Sequence, residues 1–222
     1  NPIAHSKSPE IHLLFAEQVG EHIAYEKIQT NKNGFAQAAT RFFEAGGLGL
    51  NVTLPFKRDA YSFVNQHTNF AQHAGAVNTI IRQGTDNYLG ANTDGIGLLR
   101  DLKKTLRLQL LGKSILIIGA GGATKGIVEP LLHENPVELI VANRTVDKAA
   151  AIAEDFRAIG KVQSCSLNQI PPKHYDLILH ATSAALQNTE LVLPTEIIGP
   201  QTHCYDLSYS DSATPFMRWA KT

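Results

Sequence analysis

The sequence lacks the features that mark several specialised classes of protein. Its 20 basic and 20 acidic side chains cancel, so charge gives no reason to expect nucleic acid or an anionic membrane as a partner. No apolar run approaches the roughly 20 residues that span a bilayer. The chain has no internal repeat and no low-complexity segment. We therefore expect a globular protein.

Cysteine is scarce, and the histidines do not form a metal-binding pattern. Cys165 and Cys204 are the only cysteines, and they provide neither metal-ligand spacing nor a disulfide framework. The nine histidines are scattered, without an H-E-x-x-H motif. We therefore expect a cytoplasmic protein with no metal, no nucleic-acid partner and no membrane association.

Both ends of the chain indicate a fragment of a longer protein. The chain starts at Asn1-Pro2 without an initiator methionine or a signal peptide. It stops at Thr222, inside a helix predicted to begin after Pro215. We therefore expect a fragment of a longer protein.

The order of predicted elements indicates an α/β fold with two domains. From Ser114 strands and helices alternate, which predicts a parallel sheet covered on both faces. The first half alternates less cleanly, and its last two strands are predicted to pair as a hairpin. A helix over 96–106 joins the halves, and we expect a ligand cleft between the domains, with the boundary near Gly95. Predicted helices cover 9–20, 35–45, 59–65, the stretch around Ala71, 124–134 and 147–159; predicted strands cover 22–28, 48–54, 77–82, 88–91, 114–118, 137–142, 161–164, 176–180 and 203–207.

A glycine-rich turn between the strand at 114–118 and the next helix predicts a dinucleotide site. The glycines let the backbone approach a pyrophosphate, whose charge is favoured at the helix N-terminus. The pattern is partial, because Thr124 stands at its sixth position. The alternative is a Rossmann-like unit that keeps its glycines for packing and binds nothing. The residues predicted to contact the cofactor here are Gly119, Ala120, Gly121, Gly122 and Ala123.

The end of the following strand indicates which dinucleotide is bound. An NAD site would have an acidic residue there for the ribose 2′-hydroxyl, but the chain has Asn143-Arg144-Thr145. An arginine favours an anion, so the predicted cofactor is NADP(H) with its 2′-phosphate at these three residues. Lys148 is a plausible second cation, although a lysine on this helix is equally compatible with simple solvation.

Polar clusters in the first half stand where structural residues alone are not expected. They include Ser6-Lys7-Ser8-Pro9, Asn51 to Lys57, Asn78-Thr79 and Asn92-Thr93-Asp94-Gly95. Each has an ordinary alternative: Ser8 as a helix N-cap, Asn51 and Thr53 as the solvated face of a strand, Lys57 as a surface lysine, and Asp94 with Gly95 as a turn. Only their ordered combination favours a functional interpretation.

Taken in order, these motifs resemble the shikimate dehydrogenase family. The motifs are Gly-Leu-Asn-Val-Thr-Leu-Pro-Phe-Lys, Asn-Thr-Asp-Gly, Gly-Ala-Gly-Gly-Ala and Asn-Arg-Thr, and the likeness runs from Asn1 to Phe216. The resemblance implies NADPH-dependent, reversible reduction of 3-dehydroshikimate to shikimate, in the shikimate pathway of aromatic amino-acid and chorismate biosynthesis. It implies an N-terminal α/β substrate-binding and catalytic domain over 1–94 and a Rossmann-type, doubly wound parallel-sheet NADP-binding domain over 95–222. The partner is then a small molecule, and the protein a monomer or homodimer.

The resemblance also implies roles for individual residues. Ser6 and Ser8 would bind the substrate carboxylate, and Lys57 would lie at the reacting oxygen. Lys57 and Asp94 are the predicted catalytic pair, because a nearby ammonium stabilises the charge that develops on that oxygen and donates a proton. Burial would lower the lysine pKa and a carboxylate would raise it, and the sequence leaves that balance open. The other implied contacts are Asn51, Thr53, Asn78, Asp94 and Tyr209 with the substrate, and Thr182 and Ser183 beside the nicotinamide.

The chain departs from the family pattern in three places. The family usually has Asn-Ala-Thr-Ser-x-Gly, whereas this chain has His180 at the first position and Ala185 at the last. Leu207 stands where a methionine is common, a tolerable apolar exchange. The family's opening strand and its closing segment, which bears a substrate-contacting glutamine, are absent. We therefore expect this chain alone to be less stable than a full-length enzyme and poorly active.

Three other functions compete with this one. A quinate or quinate/shikimate dehydrogenase would differ near Ser6 and Ser8, because quinate carries an extra hydroxyl beside its carboxylate. A non-catalytic NADP-binding module would not need both Lys57 and Asp94. A Rossmann enzyme of folate or tetrapyrrole metabolism would not explain the segment from Asn51 to Lys57.

Overall fold

The structure, a computed structural model, describes residues 3–182, 192–208, 210 and 212–221. The chain divides into two compact units. The first unit comprises Asn1–His67 and Val77–Ala91, and the second comprises Thr68–Ala76 and Asn92–Thr222. The short segment Thr68–Ala76 therefore belongs to the second unit although both of its flanks belong to the first.

The first unit contains a four-stranded mixed sheet in the order β1-β3-β4-β2. β3 pairs antiparallel with β1 and β4, whereas β2 pairs parallel with β4. The predicted hairpin is confirmed, because β3 and β4 pair directly. The elements are α1 (Ser8–Val19), α2 (Phe35–Glu44), β1 (Gly49–Asn51), α3 (Lys57–Phe63), β2 (Gln66–His67), β3 (Thr79–Gly84) and β4 (Asn87–Ala91).

Two details of the first unit differ from the prediction. Residues 22–28 were predicted to form a strand, but residues 21–31 form neither strand nor helix. Side chains anchor this segment instead: Lys27 Nζ donates to the Ala4 carbonyl at 2.5 Å. Alternating apolar residues favour extended chain, but a strand also needs a partner for its backbone groups, which periodicity does not supply. The very short β2 was not predicted.

The second unit contains a five-stranded, entirely parallel sheet in the order β7-β6-β5-β8-β9. This order is that of a Rossmann fold, in which successive crossovers run outward from the first strand on both sides. The predicted parallel sheet is therefore confirmed. The elements are α4 (Asn69–Ala74), α5 (Asp94–Arg100), β5 (Ser114–Ile118), α6 (Gly122–His133), β6 (Glu138–Asn143), α7 (Val146–Asp155), β7 (Gln163–Ser166), β8 (Leu177–His180), β9 (His203–Asp206) and α8 (Pro215–Trp219); a π-helical stretch, Asp101–Thr105, follows α5.

Alternate residues of the central strands pack into two cores, one on each face of the parallel sheet. On one face Ile115 and Ile117 pack with Ile127 and Leu131 of α6. On the other, Leu116 and Ile118 belong to the core that contains Phe216 and Trp219. A parallel sheet is normally covered on both faces, so its strands are almost continuously apolar. The carboxyl ends of β5 and β8, where the strand order reverses, are thereby held in a rigid frame.

Candidate active site

The turn after β5 requires glycine at its first position. Gly119 has a φ of 112°, a conformation that residues with a side chain rarely adopt. A Cβ there would lie 2.8 Å from Thr182 Cγ2 and 3.0 Å from the carbonyl carbon of Ala181. The buried Thr124 hydroxyl donates to the Gly119 carbonyl at 2.8 Å. The threonine at the sixth motif position therefore fixes the turn.

The N-terminus of α6 is open to a ligand. Gly121 is the N-cap residue, and no side chain caps the helix. A Cβ on Gly121 or Gly122 would meet no atom within 4 Å. Ala120 and Ala123 are half-buried and pack against the core, which holds the turn against the sheet. Uncapped backbone N–H groups at a helix N-terminus suit a phosphate, so these residues fit the pyrophosphate of a dinucleotide.

Two cations follow the end of β6: Arg144 lies directly after the strand, and Lys148 lies in the first turn of α7. Asn143 Nδ2 donates to the Thr145 carbonyl at 2.8 Å, and Thr145 is the N-cap of α7 without a capping side-chain hydrogen bond. Arg144 and Lys148 are exposed. Within the described residues neither of them forms an ion pair. A cation near a helix N-terminus is not stabilised by the helix dipole. Helix stability therefore does not explain the position of these two cations, whereas an anionic ligand does.

The end of β8 carries a buried histidine bound on both ring nitrogens. His180 is 2% exposed. Its Nδ1 lies 3.0 Å from Asp206 Oδ1, and its Nε2 lies 2.6 Å from Thr182 Oγ1. The ring stacks on Phe216, with centroids 4.9 Å apart. Thr182, predicted to contact the cofactor, is thereby held beside Gly119.

The Asp206 carboxylate accepts hydrogen bonds at both of its oxygens. Oδ1 also accepts from the Ser208 amide at 3.0 Å, and Oδ2 accepts from the Thr214 hydroxyl at 2.6 Å. Burial alone would raise the pKa of Asp206, but the hydrogen bonds from His180, Thr214 and Ser208 outweigh it and lower the pKa. Asp206 is therefore ionised at neutral pH.

Ser6 and Ser8 lie together at the start of α1. The Ser6 hydroxyl donates to Ser8 Oγ at 3.1 Å, and the Ser8 amide donates to Ser6 Oγ at 3.2 Å. Lys7 is the N-cap residue, and it makes no side-chain capping hydrogen bond. The interpretation of Ser8 as a helix N-cap is therefore wrong, because Ser8 is the first helical residue.

A chain of hydrogen bonds links Asn51 with Asn78 in the first unit. The Tyr25 hydroxyl donates to Asn51 Oδ1 at 2.7 Å, and Asn51 Nδ2 donates to Thr79 Oγ1 at 3.5 Å. The Thr79 hydroxyl then donates to Asn78 Oδ1 at 2.9 Å. The Tyr25 ring stacks on His12, with centroids 4.5 Å apart. We call Tyr25, Asn51, Thr79 and Asn78 the polar network.

Tyr25 connects this network to the serines. Burial raises the pKa of Tyr25, and a hydrogen bond with the Ser8 side chain partly opposes that rise. The phenol therefore stays protonated and donates, as the bond to Asn51 requires. The structure thus brings Ser6, Ser8, Asn51 and Asn78 into one set of neutral donors and acceptors.

Lys57 begins α3 directly after a tight turn. The Phe56 amide donates to the Thr53 carbonyl at 3.0 Å, and the Lys57 carbonyl accepts from the Val77 amide at 2.9 Å. These bonds connect the start of α3 to the backbone just before Asn78. Thr53 is exposed and Lys57 is half-buried. A lysine in the first turn opposes the helix dipole, so helix stability does not explain its position.

Asp94 begins α5 in the second unit and is fixed there by a buried amide. The Asp94 amide donates to Asn92 Oδ1 at 3.2 Å, and Asn92 Nδ2 donates to the Ala76 carbonyl at 3.2 Å. A Cβ on Gly95 would lie 2.4 Å from the Gly126 carbonyl oxygen of α6. The glycine after Asp94 thus allows α5 to approach α6 closely. Lys57 belongs to the first unit and Asp94 to the second, and their pairing stays a prediction.

Some predicted residues lie outside the described part of the chain, and some relevant residues were not predicted. Ser183 and Tyr209, together with the departure at Ala185, fall outside the described residues. Tyr25 was not predicted, because a lone tyrosine in a loop gives no periodic signal. Thr79 adjoins the predicted Asn78, so its hydroxyl was a visible candidate.

The described residues show neither a metal cluster nor a membrane-spanning helix. No group of three or more His, Cys, Asp or Glu residues in the described part of the chain is arranged to hold a metal ion. None of the helices described has the length and apolar character needed to cross a bilayer.

Comparison with protein families gives two matches in chain order. Residues 1–80 match the model described as shikimate dehydrogenase substrate binding domain. Residues 101–195 match the model described as shikimate / quinate 5-dehydrogenase.

Individual proteins show the same similarity over the whole chain. The shikimate dehydrogenase (NADP(+)) of Alkalilimnicola ehrlichii is 44% identical over 221 residues, covering 100% of this chain and 81% of the relative. The enzyme of that name from Cellvibrio japonicus is 41% identical, covering 100% of this chain and 80% of the relative. Among solved structures, shikimate 5-dehydrogenase from Thermus thermophilus in complex with NADP(H) and shikimate has a TM-score of 0.85 at 32% identity, covering 100% of this chain and 81% of that one. An Ael1 enzyme from Pseudomonas putida has a TM-score of 0.91 at 34% identity, with coverage of 100% and 81%.

Proposed function

Because the chain belongs to the shikimate dehydrogenase family, we propose that it catalyses the reversible reduction of 3-dehydroshikimate to shikimate with NADPH. The observation that carries the proposal is the pair of family matches in chain order, 1–80 and 101–195. The structure supports it with a set of neutral polar side chains in the first unit and an open glycine turn in the second. The enzyme is then an oxidoreductase acting on a CH–OH group.

The polar side chains of the first unit suit a substrate that carries a carboxylate and several ring hydroxyls. Ser6 and Ser8 supply hydroxyl donors for the carboxylate. Asn51 and Asn78 offer amide groups that both donate and accept, which matches hydroxyls that do the same. Thr53 and Tyr209 complete the proposed contacts.

Lys57 is the proposed proton donor at the reacting oxygen. The chemistry that NADPH would supply when bound is transfer of a hydride to the substrate carbonyl. The Lys57 ammonium stabilises the negative charge that develops on the carbonyl oxygen and donates a proton to it. In the oxidation direction the neutral amine accepts that proton from the shikimate hydroxyl. Asp94 is the proposed second catalytic residue, and its carboxylate binds a substrate hydroxyl.

Different residues of the second unit are the proposed contacts for different parts of NADP(H). Backbone N–H groups at the start of α6 bind the pyrophosphate, and the lack of a Cβ on Gly121 permits close approach. Arg144 binds the 2′-phosphate through charge-assisted hydrogen bonds, assisted by Asn143, Thr145 and Lys148. Thr182 and Ser183 are the proposed contacts at the nicotinamide end.

We further propose that residues 1–94 bind the substrate and residues 95–222 bind the cofactor, in a cytoplasmic enzyme that is a monomer or homodimer. The near coincidence of residue 94 with the start of the second unit's main segment at Asn92 supports the boundary. The proposed partner is the small-molecule substrate, and the balanced charge of the chain gives no support to a nucleic acid or an anionic membrane as a partner.

Two rival functions make different predictions in one assay. We would measure NADP⁺ reduction with shikimate and, separately, with quinate, and repeat both with NAD⁺. Turnover that requires shikimate and NADP⁺ supports the proposal. Equal turnover with quinate would instead support a quinate/shikimate dehydrogenase, and saturable NADP⁺ binding without turnover would support a binding module.

A further inference from the structure

A buried asparagine joins two separate segments of the second unit through their backbone groups. Asn92 is 3% exposed. Its Oδ1 accepts from the Asp94 amide and its Nδ2 donates to the Ala76 carbonyl, both at 3.2 Å. A backbone N–H can only donate and a backbone carbonyl can only accept, so the two partners fix which end of the side-chain amide faces each of them. The direction of both hydrogen bonds is therefore determined.

The Ala76 end of this bridge is itself held in place. Ala76 is 2% exposed, and its amide donates to the Ala71 carbonyl of α4 at 3.3 Å. α4 is in turn attached to α6, because His73 Nδ1 lies 2.9 Å from Oε2 of the buried Glu129. Asn92 is thus bonded to a part of the unit that both burial and hydrogen bonds fix.

The Asn92 amide also lies directly against α6. A Cβ on Gly126 would lie 3.0 Å from Asn92 Oδ1 and 3.2 Å from Asn92 Nδ2, so the amide can rest on the helix because residue 126 has no side chain. α6 begins at Gly122, one turn earlier, where the cofactor pyrophosphate is proposed to bind. Asn92 is therefore supported by the same helix that carries the proposed cofactor site.

The other end of the bridge is the first residue of α5. Thr93 is the N-cap residue of this helix and makes no side-chain capping hydrogen bond, although threonine is a common N-cap residue. Asn92 supplies the bond instead, in a turn that asparagine side chains form with the backbone two residues further on. This bond fixes the backbone at Asp94, which is half-buried. Burying an amide is costly unless it is hydrogen-bonded, so the two backbone groups that Asn92 joins explain its presence.

We propose that Asn92 is a positioning residue that holds Asp94 at a fixed place relative to α6, so that the Asp94 carboxylate is aligned with the substrate hydroxyl that it binds. The inference rests on the proposed function, because it takes Asp94 as a substrate contact. Asn92 touches neither substrate nor cofactor and acts only through Asp94. Its loss should therefore weaken substrate binding while leaving cofactor binding unchanged.

The test is a double-mutant cycle. Dissociation constants for shikimate are measured by calorimetry with NADPH present, a pair that cannot react, for the unmodified protein, Asn92→Ala, Asp94→Ala and the double variant. Asp94→Ala should weaken binding about 10- to 100-fold, the value of a hydrogen bond to a charged group. Asn92→Ala should weaken it by at least about threefold, because the carboxylate is misaligned, and by no more than Asp94→Ala does.

The double variant separates positioning from a general structural role. Once the Asp94 carboxylate is absent, Asn92→Ala should cause no further loss of shikimate affinity. An equal loss in both backgrounds would show that Asn92 supports the fold rather than Asp94, and would overturn the inference. No loss in the unmodified background would overturn it as well.

A second variant and a matched control accompany the cycle, because a substitution at a buried site also lowers stability. Asn92→Ser keeps an oxygen that can accept from the Asp94 amide but is too short to reach Ala76. It should weaken shikimate binding less than Asn92→Ala does, and it takes the place of that variant in the cycle if Asn92→Ala does not fold. Thr202→Ala is the control, because the Thr202 hydroxyl also bridges a backbone N–H and a backbone carbonyl of this unit, at the amino end of β9.

The control and the cofactor have defined outcomes. Thr202→Ala should lower stability and leave shikimate binding unchanged, and NADP⁺ should bind the Asn92 variants as it binds the unmodified protein. A loss of NADP⁺ affinity that parallels the loss of shikimate affinity would mean that Asn92 supports the unit as a whole, and would overturn the inference.

A further measurement separates this inference from the proposed function. Hydrogen exchange of the Asn92 side-chain amide, followed by NMR without ligand, should be slower than that of a solvated amide. Exchange at the solvated rate would overturn the inference even in an active enzyme. Failure of the unmodified protein to bind shikimate would overturn the proposed function and the role of Asn92 in substrate binding, while the exchange rate would still decide whether Asn92 anchors α5.

Discussion

The two units build their candidate sites from different chemical groups. In the first unit the site is made of side chains: hydroxyls and amides of Ser6, Ser8 and the polar network, bonded to one another. In the second it is made mainly of backbone, with a glycine turn at positive φ and the open N-terminus of α6. A site made of side chains is altered by substitutions that remove side-chain atoms. A site made of backbone is altered by substitutions that add a side chain where glycine has none.

Under the proposed function, the difference reflects what each unit has to recognise. Hydroxyls on a small ring are distinguished by the direction of individual hydrogen bonds, which side-chain amides and hydroxyls supply. A pyrophosphate is recognised by charge and by several N–H groups at once, which a helix N-terminus supplies without side chains. The following substitutions test this contrast, in order of decreasing expected effect.

Lys57→Ala should have the largest effect. Loss of a positioned proton donor costs about 10²- to 10⁴-fold in rate, so we expect kcat for shikimate oxidation to fall by that factor. The dissociation constant for NADP⁺ should not change, because Lys57 belongs to the unit that does not carry the glycine turn. Arg58→Ala, which removes the adjacent exposed cation of α3, is the matched control. A kcat within tenfold of the unmodified protein would contradict the role of Lys57.

Gly119→Ala and Gly121→Ala should separate stability from cofactor binding. At Gly119 the methyl group meets backbone atoms of Ala181, and the φ of 112° is strained for alanine, so the free energy of unfolding should fall by about 2–4 kcal/mol. At Gly121 the methyl group enters open space. Stability should then change by less than about 0.5 kcal/mol, while NADPH binding weakens.

Denaturant unfolding and NADPH titration of both variants check this pair. If Gly121→Ala binds NADPH as tightly as the unmodified protein, the backbone at the start of α6 is not the pyrophosphate site. If Gly119→Ala unfolds at the same denaturant concentration, the turn tolerates a side chain and the positive φ is not required.

Arg144→Ala should weaken NADPH binding about 10- to 100-fold, because a hydrogen bond to a charged group contributes roughly 1.5–3 kcal/mol. NADH, which lacks the 2′-phosphate, should bind the variant and the unmodified protein alike. Fluorescence titration with both nucleotides measures the difference, and Arg157→Ala, a second exposed arginine in the same unit, is the control. An equal loss of affinity for NADH would place Arg144 elsewhere than at the 2′-phosphate.

Tyr25→Phe should have the smallest effect. It removes one neutral donor, the hydroxyl bonded to Asn51, so KM for shikimate should rise about 2- to 12-fold. Tyr88→Phe is the control, since its ring packs against Phe43 and Phe63. Steady-state kinetics with varied shikimate decide the result. An unchanged KM would mean that the Tyr25 hydroxyl does not contribute to shikimate binding.

The sequence predicted the second unit better than the first, for a physical reason. Strands of a buried parallel sheet are continuous apolar runs such as 114–118, and crossover helices separate them, so their order and direction follow from the chain. In the first unit β2 has two residues, Gln66 and His67, and pairs parallel with a strand that comes later in the chain. So short an element has no periodicity, and its partner is set by tertiary contacts.

The candidate site shows the same limit. Asn51, Asn78 and Arg144 were predicted because they belong to ordered motifs at strand ends. Tyr25 was not, because it approaches Asn51 across 26 positions of the chain, and no local pattern records such a contact. His180 stood out only as a departure from a family pattern. Its bond to Asp206 depends on the register of β8 with β9, which the sequence does not specify.

The assignment of Thr68–Ala76 to the second unit means that the chain passes between units three times. α4 is attached to α6 by His73, whose Nδ1 lies 2.9 Å from Oε2 of the buried Glu129. A polypeptide that began at Asn92 would carry the whole parallel sheet but would leave the Glu129 carboxylate without that partner. During synthesis α4 emerges before α6, so α4 cannot pack against α6 until α6 has also been synthesised. No single cut therefore yields two self-sufficient modules, and exchange of cofactor units between homologues would have to transfer this nine-residue segment as well.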